Sequence, residues 1–325
     1  MSTLGLGNAL VDVLLQLEDD RPLADIGIVK GAMDMIDENQ MIIIQKTQQH
    51  LERTQVPGGS VCNTMRAMAN LGATTGYLGK VGTDALGSYY ENAIREAGVT
   101  PYLAKADGIS GCCTVLVSPD GERTMSTFLG LASTLTPDDV KEEIVGSYKC
   151  VYIEGYLLVN EPLVRSTMEK AKRQGVKVAL DLSNFNIVNA FRGFLEDIIP
   201  KYVNILFSNE SEAKAFTGLE PEEAIKKIAT QVDISLVTLG KRGSMIAGNG
   251  EIIHVAAEGG KPLDTTGAGD HFAAGFLYGQ SVGATFEQSA RIGSMLAGYV
   301  IDVLGAQIPS HQWEQIKLKV RDILS

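Results

Sequence analysis

The chain has 325 residues and a formal net charge of −11. This length is enough to bury one large core, and it favours a main domain with a smaller appendage. Because an acidic surface repels polyanions, the charge argues against nucleic acid and an anionic membrane surface as main partners. The apolar fraction of 45% is typical of a globular protein.

The N-terminal segment and the cysteines indicate a compartment. Residues 1–17 lack a basic flank and carry Asp12 within an apolar run, so they predict a strand instead of a signal peptide. No stretch reaches the roughly 20 apolar residues that span a bilayer. The four cysteines show no metal-ligand spacing, and we expect reduced, buried thiols and a cytoplasmic location. The four histidines are widely scattered, and we assign them no catalytic role.

The chain begins with a partial alternation of strands and helices. Strands are predicted at LGLGNAL and ATTGYLGKVG, and helices that end at glycine are predicted at NTMRAMANLG and DALGSYYENAIREAG. From about residue 145, short apolar runs alternate regularly with amphipathic segments. This pattern predicts βαβ units, and therefore an α/β fold with a mostly parallel sheet covered by helices on both faces.

Two regions interrupt this alternation, residues 11–37 and 108–128. Both contain strand-like runs without helices between them, and SPDGER in the second is a hairpin signal with Asp120-Gly121 at its tip. We predict that the two regions form a small antiparallel β lid over a substrate site. The large α/β domain would then comprise residues 1–10, 38–107 and 129–325.

The strongest chemical signal is DTTGAGDHFAAGFLYG at residues 264–279. Gly267, Ala268 and Gly269 lead directly into an apolar helix, so successive backbone N–H groups can face an anion without obstruction. The helix N-terminus adds about half a positive charge. Such a site would stabilise the charge that develops on a phosphoryl group during its transfer.

Asp270 lies in the first turn of that helix, beside the predicted anion hole. A carboxylate there would ordinarily repel a phosphate, and we interpret Asp270 as the base that accepts the proton of an acceptor hydroxyl. The alternative is that Asp270 only places a favourable charge at a helix start.

Other polar and small residues suit the acceptor. Gly58 and Gly59 would let backbone amides approach a substrate, and Asn63 offers a donor and an acceptor to neighbouring hydroxyls. A plain Gly-Gly turn before a helix is the alternative. Asp12 provides an acceptor-only carboxylate at the end of the first strand, which suits a pair of hydroxyls.

Three further patterns suit a nucleotide and its metal. Asn209 and Glu212 share a helix face and could hold waters on Mg²⁺, although an Asn N-cap with a capping-box glutamate has the same spacing. Thr238 and Gly240 end the strand ISLVTLG and would border the nucleotide. A stripe of small residues on a late helix leaves room for a flat adenine or for close helix packing. The stripe comprises Ala290, Gly293, Ser294 and Ala297.

DTTGAGD resembles the C-terminal signature of the ribokinase-like (PfkB) carbohydrate and nucleoside kinases. Four other parts of the chain resemble motifs of that family in the same order. They are PGGSVCNTMRAMANLG and GKVGTDALG (57–72 and 79–87, together the N-terminal signature), FSNESEA (207–213), VTLGKRG (237–243) and GAQIPS (305–310).

The resemblance implies a three-layer ribokinase-like fold and ATP-dependent phosphoryl transfer with Asp270 as base. It also implies Mg²⁺ held through water by Glu212, and a monovalent cation such as K⁺ near Asp264 and the loop 303–310. Substrate contact is implied at Asp12. The implied nucleotide contacts are Asn209, Thr238, Gly240, Gly243 and Ala297.

The acceptor is indicated by GNALVD, KGAMDMID, PDGERTMSTFLGLA and YIEGYL, which are most similar to the adenosine-kinase-like branch. That branch implies a nucleoside such as adenosine, phosphorylated on its 5′ hydroxyl. Asp12 and Asn63 would take the ribose, and Arg123 would lie near the phosphate-accepting end. The base pocket would be walled by Met33, Met35 and Phe128.

Four alternative interpretations concern the lid methionines, the acceptor and the class of protein. The methionines could simply pack the lid core, and a sugar such as ribose or fructose is the alternative acceptor. A non-catalytic binding protein is disfavoured because Asp270 and the residues Gly267-Ala268-Gly269 are intact. A nicotinamide oxidoreductase is disfavoured because GLGNAL lacks the third glycine of the dinucleotide motif. Apart from ATP and the acceptor, the partner we expect is a second copy of the chain, bound through the lid.

Overall fold

The computed structural model describes residues 2–47, 50–259 and 262–325. Its strands are β1 Thr3–Leu6, β2 Leu10–Gln16, β3 Met33–Met35, β4 Arg53–Gly58, β5 Thr75–Gly82, β6 Val99–Ala106, β7 Gly111–Val117, β8 Arg123–Phe128, β9 Cys150–Glu154, β10 Lys177–Asp181, β11 Ile205–Asn209, β12 Ile234–Thr238, β13 Ser244–Gly248 and β14 Glu251–Val255. Its α-helices are α1 Arg21–Asp25, α2 Glu38–Thr47, α3 Ser60–Asn70, α4 Ala85–Glu96, α5 Glu142–Gly146, α6 Glu161–Arg173, α7 Phe185–Ala190, α8 Arg192–Tyr202, α9 Glu210–Thr217, α10 Pro221–Ala229, α11 Ala268–Ser281, α12 Phe286–Ile301 and α13 Trp313–Leu324.

The larger sheet contains nine strands in the order β14-β13-β12-β11-β10-β9-β1-β5-β6. The pairs from β12 to β6 are all parallel, whereas β13 and β14 extend the edge as an antiparallel hairpin. The regular alternation of apolar runs and amphipathic segments therefore predicted this sheet correctly, because each parallel pair needs a crossover that a helix supplies.

Helices cover both faces of this sheet, and each face has its own apolar core. Leu4 and Leu6 of β1 pack into the core that contains α6, α8, α9 and α10. The opposite face packs against α3, α4, α11, α12 and α13. Gly5 faces α3, and a Cβ there would lie 2.4 Å from Cγ1 of Val61. This close approach positions α3, and the predicted three-layer α/β arrangement is confirmed.

The second sheet contains the strands of the two predicted lid regions together with β4, in the order β3-β8-β7-β2-β4, and we call it the lid. The expectation of an antiparallel lid was wrong, because β2 pairs parallel with β7 and β3 pairs parallel with β8. Strands β2 and β7 both enter the lid from the large sheet, after β1 and β6, so they run in the same direction. Only β7–β8 and β2–β4 are antiparallel.

Two details of the lid were not anticipated from the sequence. A short helix, α1, interrupts the first lid segment and begins with Arg21-Pro22, a favourable position for proline. Strand β4 pairs with β2, although the predicted boundaries left it in the large domain, and those boundaries stay a prediction. The hairpin at Asp120-Gly121 is confirmed, with Gly121 at φ +87° and its N–H donating to Ser118 O at 2.9 Å.

The strand order reverses between β1 and β9. The chain continues from β1 to β5 on one side of the sheet and from β9 to β10 on the other. In open α/β sheets the crevice at such a reversal, beyond the carboxyl ends of the strands, is where ligands bind. We therefore expect the functional site at the ends of β1, β9 and their neighbours.

Two further observations concern the cysteines and the apolarity of the helices. The four cysteines, Cys62, Cys112, Cys113 and Cys150, are buried and unpaired, as predicted. Among the helices of the described ranges, none has the length and apolarity needed to cross a bilayer.

Candidate active site

The run of small residues before α11 forms a backbone cradle at this edge of the sheet. Gly267 caps the helix at φ +78°, and a Cβ at this position would lie 2.8 Å from Cβ of Ala306. A side chain at Gly267 is therefore excluded by both conformation and space. A Cβ at Gly269 would meet no atom of the described residues within 4 Å, so this side of its backbone faces open space. The N–H of Ala268, which begins α11, donates to the carbonyl oxygen of Thr265 at 3.2 Å, whereas the next N–H groups lack partners within the helix and can bind an anion.

Asp270 stands at the mouth of this cradle and is held by α3. Its Oδ2 accepts a hydrogen bond of 2.9 Å from Nδ2 of Asn63. Burial raises the pKa of Asp270 to about 7; the Asn63 hydrogen bond opposes the shift, and the negative charges of Asp181, Glu154 and Asp12 add to it.

Unsatisfied hydrogen-bond acceptors lie next to Asp270. The Oδ1 atom of Asn63 is buried and has no hydrogen-bond partner among the described residues. Burial raises the pKa of Asp12 to about 7, while the charges of Arg123 and Arg66 oppose the shift. A Cβ at Gly58 would lie 2.4 Å from Oδ1 of Asp12, so this carboxylate needs a glycine beside it. The Oδ1 atom of Asn63, a buried acceptor without a donor, points to a ligand that supplies hydroxyl groups.

A cavity of about 280 Å³ lies in front of the cradle. It brings together residues from the ends of several strands with the start of α11, as the strand reversal predicts. Its lining includes Ser60, Tyr156, Asp181, Asn209, Glu212, Thr238, Gly267, Ala268, Gly269 and Asp270.

A second cavity, of about 380 Å³, adjoins the first and shares Thr238, Ala268 and Gly269 with it. Its other lining residues include Gly240, Gly243, Ser294, Ala297 and Gly298. The nucleotide-site residues predicted from VTLGKRG and from the late helix therefore meet at one cavity beside the cradle, with Asn209 in the first cavity.

The stripe of small residues on α12 both borders a cavity and allows close helix packing. Ser294 and Ala297 line the second cavity. Ala290 is fully buried, and a Cβ at Gly275 of α11 would lie 2.5 Å from the backbone N of Gly293. One end of the stripe therefore leaves room for a ligand, and the other lets α11 and α12 pack closely.

Asn209 and Glu212 form a complete capping box at the start of α9. The Glu212 carboxylate accepts from the backbone N and from Nδ2 of Asn209, while Oδ1 of Asn209 accepts from the Glu212 N–H. Burial, followed by the charge of Asp181, raises the pKa of Glu212 to about 8. Such a pair of buried carboxylates would be stabilised by a cation between them and the phosphates. The capping geometry and a metal-binding role are thus compatible.

Three residues of the site were missed by the sequence analysis. Glu154 ends β9, and its buried carboxylate accepts from Asn8 N (2.8 Å), Asn8 Nδ2 (2.7 Å) and Ser60 Oγ (2.8 Å), which ties β1, β9 and α3 together. Asp181 ends β10 and accepts from the hydroxyl of Tyr152 at 3.0 Å. Tyr156 lines the first cavity and is 39% exposed. For Glu154 and Asp181, the sequence signal that could have identified them is a polar residue at the carboxyl end of a buried strand.

Arg123 and Asp264 are brought together by the lid and the cradle. Nη1 of Arg123 donates to Oδ2 of Asp264 at 2.5 Å and to Oγ1 of Thr266 at 3.1 Å. In this conformation Arg123 is committed to Asp264 and does not line either cavity described above.

Phe128 lies on the opposite face of the lid from Asp12. Asp12 pairs with Cys113, which pairs with Thr127, whereas Phe128 pairs with Cys112. Because successive side chains on a strand alternate between faces, this register gives no support to the predicted contact between Phe128 and a base. Met35 pairs with Thr127 and therefore shares the face of Asp12.

His271 follows Asp270, and its ring supports the cradle from behind. Its Nδ1 lies 2.9 Å from the carbonyl oxygen of Gly267. Burial lowers the pKa of His271 to about 4, so the ring is neutral at physiological pH. Since a carbonyl can only accept, Nδ1 carries the proton.

These features combine an α/β fold with a helix N-terminus that suits a phosphate, a titratable carboxylate and a buried free acceptor. A family model described as pfkB family carbohydrate kinase matches residues 25–313, and the chain belongs to this family. It is therefore a phosphotransferase that uses an alcohol group as acceptor, and the family relationship implies ATP as phosphoryl donor.

Individual relatives agree with this assignment over nearly the whole chain. A solved structure of adenosine kinase from Sinorhizobium meliloti is 33% identical, with a TM-score of 0.85 and coverage of 99% of this chain and 98% of that one. A probable sugar kinase from Rhizobium etli is 32% identical, with a TM-score of 0.87 and coverage of 98% of each chain. The adenosine kinase of Saccharomyces cerevisiae is 28% identical, with coverage of 94% of this chain and 96% of that kinase. The ribokinase-like fold is thereby confirmed.

Proposed function

We propose that this chain transfers the γ-phosphoryl group of ATP to the 5′ hydroxyl of a nucleoside such as adenosine, with Asp270 as catalytic base. The observation that carries the proposal is the arrangement of Asn63. Its Nδ2 holds Asp270, while its buried Oδ1 has no described partner and remains free to accept from a ribose hydroxyl of the acceptor. Asn63 can thus contact both the catalytic base and the acceptor molecule.

The chemistry follows from which atoms are free. Asn63 occupies Oδ2 of Asp270, and the second carboxylate oxygen can take the proton of the 5′ hydroxyl. As the new O–P bond forms, the bond from the γ-phosphorus to the β-phosphate oxygen breaks, and ADP leaves. The backbone amides of Gly267 and Gly269 stabilise the charge on the transferring group, since the N–H of Ala268 is donated to Thr265 O.

ATP would lie along the second cavity, with its phosphates directed toward the cradle. Thr238, Gly240, Gly243 and Ala297 would border the nucleotide, and Asn209 its phosphates. Mg²⁺ would neutralise phosphate charge when bound, held through water by Glu212 and beside Asp181. The proposal does not include a monovalent cation at Asp264, because Arg123 is bound to that carboxylate.

The proposal is tested by an ADP-release assay with ATP and Mg²⁺ across a panel of nucleosides and free sugars. We expect turnover with adenosine or a related nucleoside. The relatives support a nucleoside as the acceptor. A sugar stays the alternative acceptor, because one relative is described as a probable sugar kinase. A clear preference for ribose or fructose would establish the sugar-kinase alternative, and release of ADP with no acceptor would overturn both.

The role of Glu212 is tested by Glu212→Gln. A glutamine can keep the capping box with Asn209 while it removes the charge, so the variant separates the two roles better than alanine does. We expect the Mg²⁺ concentration for half-maximal rate to rise about tenfold.

Stability against pH provides the control. Folding raises the pKa of Glu212 from 4.5 to about 8, so the folded state binds the extra proton and the wild type loses stability as pH rises through this window. The glutamine variant lacks this loss, and its melting temperature relative to wild type should increase with pH. If Glu212→Gln and the wild type needed the same Mg²⁺ concentration for half-maximal rate, Glu212 would have the capping role alone.

The acceptor pocket is tested by comparing Tyr156→Ala with Phe128→Ala. Tyr156 is an exposed aromatic side chain in the cavity wall, whereas Phe128 lies on the other lid face. We expect Tyr156→Ala to lower kcat/KM for adenosine by a factor that corresponds to about 1–3 kcal/mol of base stacking, with little effect on residual turnover of ribose. Phe128→Ala serves as the matched control. Equal losses for both acceptors, or a larger loss from Phe128→Ala, would contradict this assignment.

The lid also supports the proposed homodimer. Met33 and Met35 on edge strand β3 are 67% and 63% exposed, and exposed apolar side chains on an edge strand favour pairing with another chain. Sedimentation analysis of the wild type and of Met33→Lys tests this. A wild type that stays monomeric at high concentration would exclude the dimer.

A further inference from the structure

The carboxylate of Asp264 is fully occupied by donors from the protein. Its Oδ1 accepts from Thr266 N at 2.9 Å and from Thr266 Oγ1 at 2.6 Å. Its Oδ2 accepts from Gly305 N at 2.8 Å and from Arg123 Nη1 at 2.5 Å. A cation needs oxygen lone pairs, and the hydrogen-bond partners of this carboxylate among the described residues are all N–H or O–H donors. A monovalent cation at Asp264 therefore does not fit this arrangement.

The positive charge at this position comes from the lid. The side chains of Arg123 and Asp264 are only 11% and 9% exposed, so the ion pair is shielded from solvent and from salt. Burial would raise the pKa of Asp264, but the hydrogen bonds from Thr266 and Gly305 and the charge of Arg123 together lower it. The pair is therefore ionised at physiological pH.

Asp264 is connected to the cradle through two contacts. Thr266, which it holds by backbone and hydroxyl, directly precedes Gly267. Gly305, which donates to it, precedes Ala306, the residue against which Gly267 packs. Loss of charge balance at Asp264 would therefore displace the backbone that binds the phosphoryl group.

We propose that Arg123 supplies from within the chain the positive charge that the family resemblance assigns to a monovalent cation at Asp264. Phosphoryl transfer by this protein is then independent of potassium. Arg123 acts as a positioning residue in this role, because it reaches the cradle through Asp264 and not through the substrate.

The test compares potassium chloride with tetramethylammonium chloride at equal ionic strength, with ATP supplied free of alkali metal. Product is quantified directly by chromatography, so that no potassium-requiring coupling enzyme is present. We expect the wild type to work equally well in both salts. Arg123→Gln should lose activity in tetramethylammonium and regain about tenfold in potassium, because the vacated carboxylate becomes a cation site. Arg123→Lys keeps the charge and should remain indifferent to potassium.

A second readout does not depend on catalysis. Potassium should raise the melting temperature of Arg123→Gln by about 2 °C or more, and it should leave the wild type unchanged. Arg21→Gln is the matched control, because Arg21 is a lid arginine paired with exposed Asp19, and it should show no potassium response. A wild type stimulated or stabilised by potassium would overturn the inference. So would an Arg123→Gln variant that responds to potassium in neither readout. The thermal result stands even if the proposed acceptor is wrong.

Discussion

Asp270→Asn is expected to lower kcat by about 10²–10⁴-fold while the affinities for ATP and acceptor stay within a few-fold. The amide keeps the shape of the carboxylate and can still accept from Nδ2 of Asn63, but it cannot take the proton. Asp322→Asn, on an exposed position of α13, is the matched control and should leave the rate unchanged. Retention of more than half of the wild-type kcat by Asp270→Asn would remove Asp270 from the role of base.

The pH profile gives an independent check on the same residue. Because the pKa of Asp270 is raised to about 7 in the free enzyme, the base is protonated below this pH. We expect kcat/KM to fall about tenfold for each pH unit below the midpoint, and to level off above it. A profile that stays flat down to the ordinary pKa of a carboxylate, 3.8, would contradict the raised value.

Gly267→Ala is expected to lower kcat by about 10²–10³-fold, the effect of disturbing an anion hole. The added methyl group would lie 2.8 Å from Cβ of Ala306, and the backbone would have to leave its φ of +78° or bear the strain. Strain of this kind costs about 1–3 kcal/mol of stability. Measurement of kcat and of the free energy of unfolding on the same preparation checks both effects.

Gly283→Ala provides the matched control at the other end of α11. Gly283 also has a positive φ, +81°, but in the described part of the chain a Cβ there would meet no atom within 4 Å. It should therefore carry a comparable strain without the clash, and it should leave kcat unchanged. If Gly267→Ala were no slower than Gly283→Ala, the cradle would not be the anion hole.

The parts of the site that are local in sequence could be predicted from the sequence. Gly267, Ala268 and Gly269 precede an apolar helix directly, and Asp270 follows in its first turn. The same is true of Asn209 and Glu212, whose spacing fixes a shared helix face before any tertiary contact is known. Small residues and short spacings carry this information because one turn of backbone determines where their atoms lie.

The remaining parts depend on contacts between distant segments. Glu154 and Asp181 are single polar residues at strand ends, and only the order of β1, β9 and β10 brings them to the crevice. The face on which Phe128 lies depends on the register across the β7–β8 hairpin, where a shift by one residue exchanges the faces. The parallel pairing of β2 with β7 likewise depends on how the two segments that enter the lid from the large sheet lie beside each other.

Phosphoryl transfer to the 5′ hydroxyl is tested by comparing adenosine with 5′-deoxyadenosine in the presence of ATP and Mg²⁺. We expect adenosine to be converted to adenosine 5′-monophosphate, with one ADP released for each molecule formed. We expect 5′-deoxyadenosine, which lacks only the accepting hydroxyl, to bind as a competitive inhibitor and to release no ADP. Phosphate found on the 2′ or 3′ oxygen, or ADP released equally with both compounds, would show that the enzyme does not act at the 5′ hydroxyl.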